Sequence, residues 1–275
     1  MAKTKRMIRD NLKLVDVVIE LTDARLPLSS RNPDVDKILS GKPGILVLNK
    51  ADIADQSSTQ KWLSYFEKKN ITAIAVNSQS GKGLKKTLDN AIDIVLADKF
   101  KRDEARGIQR HAVKMMVVGI PNVGKSSFIN RLSGRAAAKT GDRPGITQTK
   151  QWIRIAGQYE LLDTPGILWP KFENEDVGRK IAYTGGIKDE ILDIEDLAYE
   201  LLGYLKEAYF PQLCEKYGLS DCEELTKYEL LEAIGRKRGC VVSGGEIDTF
   251  RAANIIMSDF RAAKIGRITL ELPPK

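Results

Sequence analysis

The sequence runs to 275 residues with 42% hydrophobic and 29% charged side chains, which excludes a disordered or low-complexity chain and leaves room for one large α/β unit or for two domains. No apolar run approaches the roughly 20 residues that a membrane-spanning helix needs, and none follows the basic start Met1-Ala2-Lys3-Thr4-Lys5-Arg6, so a cytoplasmic protein with no membrane partner is expected. Net charge is +7 but uneven: residues 1–180 hold 32 Lys and Arg against 20 Asp and Glu (+12), and the rest hold 12 against 17 (−5), so the first part favours a polyanionic partner such as a nucleic-acid backbone.

Six β-branched or apolar runs precede residue 165: Val15–Leu21, Gly44–Leu48, Ile71–Val76, Val113–Gly119, Gln151–Ile155 and Tyr159–Leu162. Several are almost continuously apolar, as strands covered on both faces are, and helical spacing over Thr59–Lys69 and Leu84–Phe100 supplies crossovers. The expected fold class is α/β, a doubly wound and mostly parallel sheet. Lys99–Arg110 is densely charged without an apolar period and reads as a solvated joint near 99–112 between two halves of that domain. After about residue 177 the spacing turns helical. Ile194, Leu197, Leu201 and Leu205 share one face, then Leu225, Tyr228, Leu231 and Ile234. A last helix is drawn over Ile247–Lys264, with Ala252, Ile256, Phe260 and Ala263 inward and Arg251, Arg261 and Lys264 off the stripe. The division is therefore 1–176 and a smaller, mostly helical 177–275. Cys214, Cys222 and Cys240 lack paired spacing and suit incidental or buried thiols, not a disulfide framework or a zinc site.

The chemistry-bearing motifs sit at strand ends. Asn49-Lys50-Ala51-Asp52 follows the second strand. The Asp52 carboxylate can accept from both N1–H and N2–H₂ of guanine, a donor pair that adenine lacks, so GTP and GDP are favoured over adenine nucleotides. Lys50 can lay its stem along the base, Asn49 can brace neighbouring loops, and Asn77-Ser78 after the third strand can close the other edge of the base. Gly119-Ile120-Pro121-Asn122-Val123-Gly124-Lys125-Ser126 fits GxxxxGK followed by Ser or Thr, between a strand and a helix-like run. In such a P-loop the backbone N–H groups of Asn122, Val123, Gly124, Ser126 and Ser127 wrap the phosphates, Lys125 reaches the β/γ-phosphates and Ser126 ligates Mg²⁺. The loop Gly141-Asp142-Arg143-Pro144-Gly145-Ile146-Thr147 offers the Thr147 hydroxyl to the metal, with Thr149 as an alternative, and Asp163-Thr164-Pro165-Gly166 offers Asp163 to the Mg²⁺ shell and the Gly166 N–H to the γ-phosphate. Lys125, Thr147 and Gly166 are the candidate catalytic residues.

The base motif thus precedes the phosphate motif, a circular permutation of the order in translation-factor-related GTPases. Strand ends can hold the same pocket in either order, because joining near termini and opening another loop moves no strand. Asp23-Ala24-Arg25, with the motifs above and Asp163-Thr164-Pro165-Gly166-Ile167-Leu168-Trp169-Pro170-Lys171-Phe172, resembles the bacterial ribosome biogenesis GTPase A family over nearly the whole chain, including Arg236-Lys237-Arg238-Gly239-Cys240 and Ser243-Gly244-Gly245. The resemblance implies a GTPase that acts late in assembly of the large ribosomal subunit, docking on rRNA and ribosomal proteins as a monomer, with no DNA partner, and leaving after hydrolysis. It also implies hydrolysis without the glutamine that many GTPases carry after the DxxG glycine, since Ile167 stands there, and a K⁺ site at Asn122. On the residues alone Asn122 fits an Asx-type loop cap equally well. The family carries a histidine in a Pro-Gly-His segment ahead of Met-Ala-Lys. This sequence starts at Met1, and its single histidine, His111, reads as an ordinary loop residue, so slow intrinsic hydrolysis is expected. The alternative reading is a nucleotide-switched adaptor that binds a protein complex and rarely hydrolyses.

Overall fold

The computed structural model describes residues 10–31, 41–109, 111–134, 151–155, 158–163, 175–187, 189–220 and 222–274. The chain forms two compact units, Met1–Phe172 with Glu271–Lys275, and Glu173–Leu270. In the first, a six-stranded sheet has the order β3-β2-β1-β4-β6-β5, built from β1 (Val17–Asp23), β2 (Gly44–Asn49), β3 (Ala73–Ala75), β4 (Val113–Val118), β5 (Gln151–Ile155) and β6 (Tyr159–Asp163). Every neighbouring pair is parallel except β5 and β6, which form an antiparallel hairpin at one edge.

All seven residues of β1 are buried, because it lies between β2 and β4 with both faces covered. On one face Leu12, Val15, Val18, Met116, Val118 and Leu162 pack together. The run at Val15 therefore belongs to the core although the strand itself begins two residues later. On the same face, over β2 and β3, lies α1 (Gln56–Lys68), which starts where Asp55 accepts a 2.7 Å hydrogen bond from Ser58 N. One helical turn apart, Trp62 and Phe66 stack with centroids 5.5 Å apart and pack against Ala24, Leu46, Leu48 and Ala54. Truncating either aromatic to Ala would cost about 3–5 kcal/mol.

The single helix expected over Leu84–Phe100 is two: α2 (Leu84–Val95) and α3 (Ala97–Ala105), separated by Leu96 at φ −106° and ψ 9°. The charged stretch read as a joint is helical as far as Ala105. It buries nothing, but Lys, Arg, Glu and Ala are strong helix formers, and Lys99 pairs with Asp103 one turn on.

The second unit contains α5 (Glu175–Tyr183), α6 (Ile194–Ala208), α7 (Phe210–Tyr217), α8 (Lys227–Lys237) and α9 (Thr249–Arg261), while α4 (Lys125–Ser133) belongs to the first. Along α6 the expected stripe Ile194, Leu197, Leu201 and Leu205 is buried. In α8 the stripe differs. A capping box between Thr226 and Glu229 starts the helix at Lys227, leaving Leu225 ahead of it and Tyr228 53% exposed, so Leu230, Leu231 and Ile234 face the core. The last helix is shorter than Ile247–Lys264. Asp248 caps its start, and Ala263 lies outside it at φ 54°, off the buried stripe of Ala252, Ile256 and Phe260. Asp259, also buried, faces Lys216 at 3.5 Å and Arg238 and Lys264 at 3.4 Å, a cluster that helical periodicity does not reveal. Cys214 and Cys222 are free thiols with their sulfurs 3.2 Å apart, and burial with the neighbouring thiol pushes the Cys214 thiol up to about 11.

Candidate functional site

In an open parallel sheet, ligands gather beyond the carboxyl ends of the strands. β1, β2, β3 and β4 all deliver their motifs there: Asp23, Asn49, the turn after Ala75, and Gly119. The first tie between the base loop and the phosphate loop is Asn49, 2% exposed. Its Nδ2 donates to Val123 O at 2.7 Å, and its Oδ1 accepts from Ser78 Oγ at 2.7 Å and Ser78 N at 3.2 Å. One carboxamide thus locks three loops. Next in sequence, Lys50 lies at φ 60° and donates from Nζ to Asn122 O at 2.7 Å. The Asn77 Oδ1 accepts from Gln79 N at 2.8 Å and Ser80 N at 2.9 Å, which shapes the turn and leaves Ser78 to reach Asn49.

The P-loop leaves β4 at Gly119 and enters α4 at Lys125. Asn122 and Gly124 have positive φ (61° and 94°), a backbone conformation that turns successive N–H groups into one concavity at the helix N-terminus. The Lys125 Nζ donates to the loop's own carbonyls, Gly119 O at 2.9 Å and Ile120 O at 2.6 Å, and burial pushes its pKa down to about 8. A triphosphate would draw that ammonium outward and restore its ordinary basicity. Ser126 lies beside it in the first turn of α4, and Ser127 is exposed.

Asp163 ends β6 two strands from β1, but its side chain, Thr147, Thr149 and Gly166 lie outside the described residues. A hydroxyl and a carboxylate are the hard oxygen donors that Mg²⁺ takes in combination with phosphate oxygens and water, so the motif residues fit that ion. Among the described residues no cluster of three or more His, Cys, Asp or Glu side chains could hold a metal by itself. His111 is exposed in the connection ahead of β4.

Two contributors lie outside the nucleotide motifs. Arg131 of α4 donates from Nε to Ser78 O at 3.4 Å and from Nη2 to Gln79 O, joining the P-loop helix to the turn after β3. Asp23, 2% exposed, binds Arg25 through both carboxylate oxygens and meets Lys50 Nζ at 3.1 Å. Burial alone would raise this carboxyl, but the Arg25 and Lys50 charges and the hydrogen bonds from Arg25 hold it well below the usual carboxylate range. The signal available was the acid-Ala-Arg spacing at a strand end, meaningful only once β1 is known to pair with β2 so that Asp23 sits opposite Asn49.

The chain as a whole is similar to known GTPases. A family model described as 50S ribosome-binding GTPase matches residues 114–213. The chain is 48% identical over 273 residues to ribosome biogenesis GTPase A of Bacillus cereus, covering 99% of this chain and 92% of that one. It is 34% identical to the protein of the same name from Thermotoga maritima, covering 98% and 91%. The crystal structure of GNP-bound YlqF from T. maritima superposes with a TM-score of 0.68 at 30% identity, covering 99% of both chains.

Proposed function

The chain belongs to the ribosome biogenesis GTPase A family, and on that premise we propose that it acts on the large ribosomal subunit, which stimulates GTP hydrolysis and is released after it. The observation that carries the nucleotide half of this reading is the pair of bonds from Asn49 and Lys50 to Val123 O and Asn122 O, which makes one pocket of two motifs some 70 residues apart. Around guanine, Asp52 reads N1–H and N2–H₂ while the Lys50 stem lies along the base and Asn77 and Ser78 hold the far edge. Around the phosphates, backbone N–H groups from Asn122 to Ser127 and the Lys125 ammonium neutralise charge, and Ser126, Thr147 and Asp163 would hold Mg²⁺, which would supply further positive charge to the phosphates. In this reading the Gly166 N–H is the sensor of the γ-phosphate.

With Ile167 in the glutamine position, water positioning falls to the subunit or to an ion. K⁺ held by Asn122 would fulfil the second role, and single-turnover hydrolysis that runs equally fast in Na⁺ and K⁺ would remove it. For rRNA, Arg236 and Lys237 are exposed at the end of α8 and suit phosphate contact. Arg238 is less available, since it faces Asp259 at 3.4 Å and stacks over Tyr217 at 5.1 Å. The decisive experiment is GTP turnover with immature large subunits, mature large subunits and small subunits at two salt concentrations. Acceleration by large subunits that weakens steeply with salt supports backbone docking. Equal turnover in all three contradicts it.

A further inference from the structure

We infer that Asp23 is a positioning residue for the guanine pocket, its carboxylate holding the Lys50 side chain in place before nucleotide arrives. The inference rests on the reading of Lys50 as a base-loop residue and extends it to the Asp23-Ala24-Arg25 turn, which the nucleotide motifs leave without a role.

The placement follows from the sheet. β1 lies between β2 and β4, so its last residue is flanked by the base loop on one side and the P-loop strand on the other, with Asp23 opposite Asn49 in register. The Asp23 Oδ1 accepts from Arg25 N and Arg25 Nε, both at 3.0 Å. Its Oδ2 accepts from Arg25 Nη2 at 2.8 Å and faces Lys50 Nζ at 3.1 Å. Arg25 alone neutralises the carboxylate, so the second cation is not needed to bury it. What gains from the contact is Lys50. Its side chain is 26% exposed on a flexible stem, and two acceptors, Asp23 Oδ2 and Asn122 O, fix the ammonium. A lysine already ordered loses less freedom when a base slides along its stem, and preorganisation of this kind appears as affinity. The same residue anchors its own turn, because Ser30 Oγ accepts from Asp23 N at 3.0 Å and Ser30 N donates to Leu26 O at 3.0 Å. A purely structural role would end there.

A double-mutant cycle separates the two roles. Asp23→Asn, Lys50→Met and their combination are compared by fluorescent-GDP affinity, and by KM and kcat for GTP. Loss of a charge-assisted contact of this type should weaken binding by about ten-fold. Asp23→Asn is expected to raise KM and leave kcat at saturating GTP unchanged, and in the Lys50→Met background it should cost nothing further. If Asp23→Asn does not fold because Arg25 is left buried and unpaired, the neutral pair Asp23→Asn with Arg25→Gln carries the same test. Affinity within two-fold of wild type, losses that multiply in the combined variant, or failure of both carboxylate variants to fold overturns the inference. If Lys50→Met itself leaves GDP affinity unchanged, the base-loop reading fails with it. If Lys50→Met weakens binding and Asp23→Asn does not, this inference alone fails.

Discussion

Gly124→Ala isolates how tightly the two nucleotide loops are keyed together. Gly124 lies at φ +94°, and a Cβ there would sit 2.4 Å from Asn49 Nδ2, the atom that donates to Val123 O at 2.7 Å. A left-handed non-glycine residue costs about 1–2 kcal/mol. Asn49 is 2% exposed and cannot swing into water, so the displaced amide forfeits its bond to Val123 and loosens those to Ser78. Leaving one buried donor unsatisfied costs about 1–3 kcal/mol more. The total is about 3 kcal/mol, roughly a hundred-fold loss in affinity if it falls on the pocket. Gly134 at the other end of α4 is the internal control. It has φ +66° with nothing within 4 Å of an added Cβ, so Gly134→Ala carries only the backbone cost of about 1 kcal/mol and leaves GDP affinity within about two-fold. Fluorescent-GDP titration and thermal unfolding, run side by side on both variants, decide. Equal GDP affinity in the two variants would refute the keyed-loop geometry.

Three further outcomes follow from single contacts. Nucleotide that restores the Lys125 pKa must bind with uptake of a proton above about pH 8, so GDP affinity should fall about four-fold from pH 7 to pH 8.5 and stay flat in Lys125→Arg; a flat wild-type profile contradicts the buried ammonium. The Glu271 carboxylate accepts from Leu28 N, Ser29 N and Ser29 Oγ, and Trp62 Nε1 donates to Glu271 O at 2.9 Å. Glu271→Ala should therefore lower the melting temperature by about 2–8 °C, measured by calorimetry, for a loss of about 1–2 kcal/mol. Asp259→Ala removes the shared carboxylate of Lys216, Arg238 and Lys264, but these side chains keep 20%, 36% and 58% exposure and can turn to water, so it should cost about 1 kcal/mol, read by denaturant unfolding; a loss above about 3 kcal/mol would mean the cations are held away from solvent.

The strands were legible because burial on both faces writes an apolar run into β1, β2 and β4 that no neighbouring turn resembles. Their ends were less so. Val15 is apolar for packing against one face of the sheet, and β3 keeps only Ala73–Ala75 of the expected Ile71–Val76. The break at Leu96 and the cap at Thr226 shifted helix boundaries because a cap is decided by one side chain's hydrogen bonds, not by periodicity. At the candidate site the motifs marked which loops matter and where each leaves the sheet. They could not show which carbonyl each side chain takes. Lys50 to Asn122 O spans 72 residues, Arg131 to Ser78 O spans 53 and Glu271 to Ser29 spans 242, and contacts at such separations leave no local pattern.

On the proposed reading, Asn49-Lys50-Ala51-Asp52 and the P-loop form one guanine pocket despite their inverted order in the chain. The deciding measurement is affinity for GDP and for xanthosine diphosphate in wild type and in Asp52→Asn. Inverting the acceptor at Asp52 should cost GDP binding at least about ten-fold and bring a matching gain for the xanthine nucleotide, with binding of each still abolished by Lys125→Ala. An Asp52→Asn protein that keeps the wild-type preference for guanine would mean that Asp52 does not read the base.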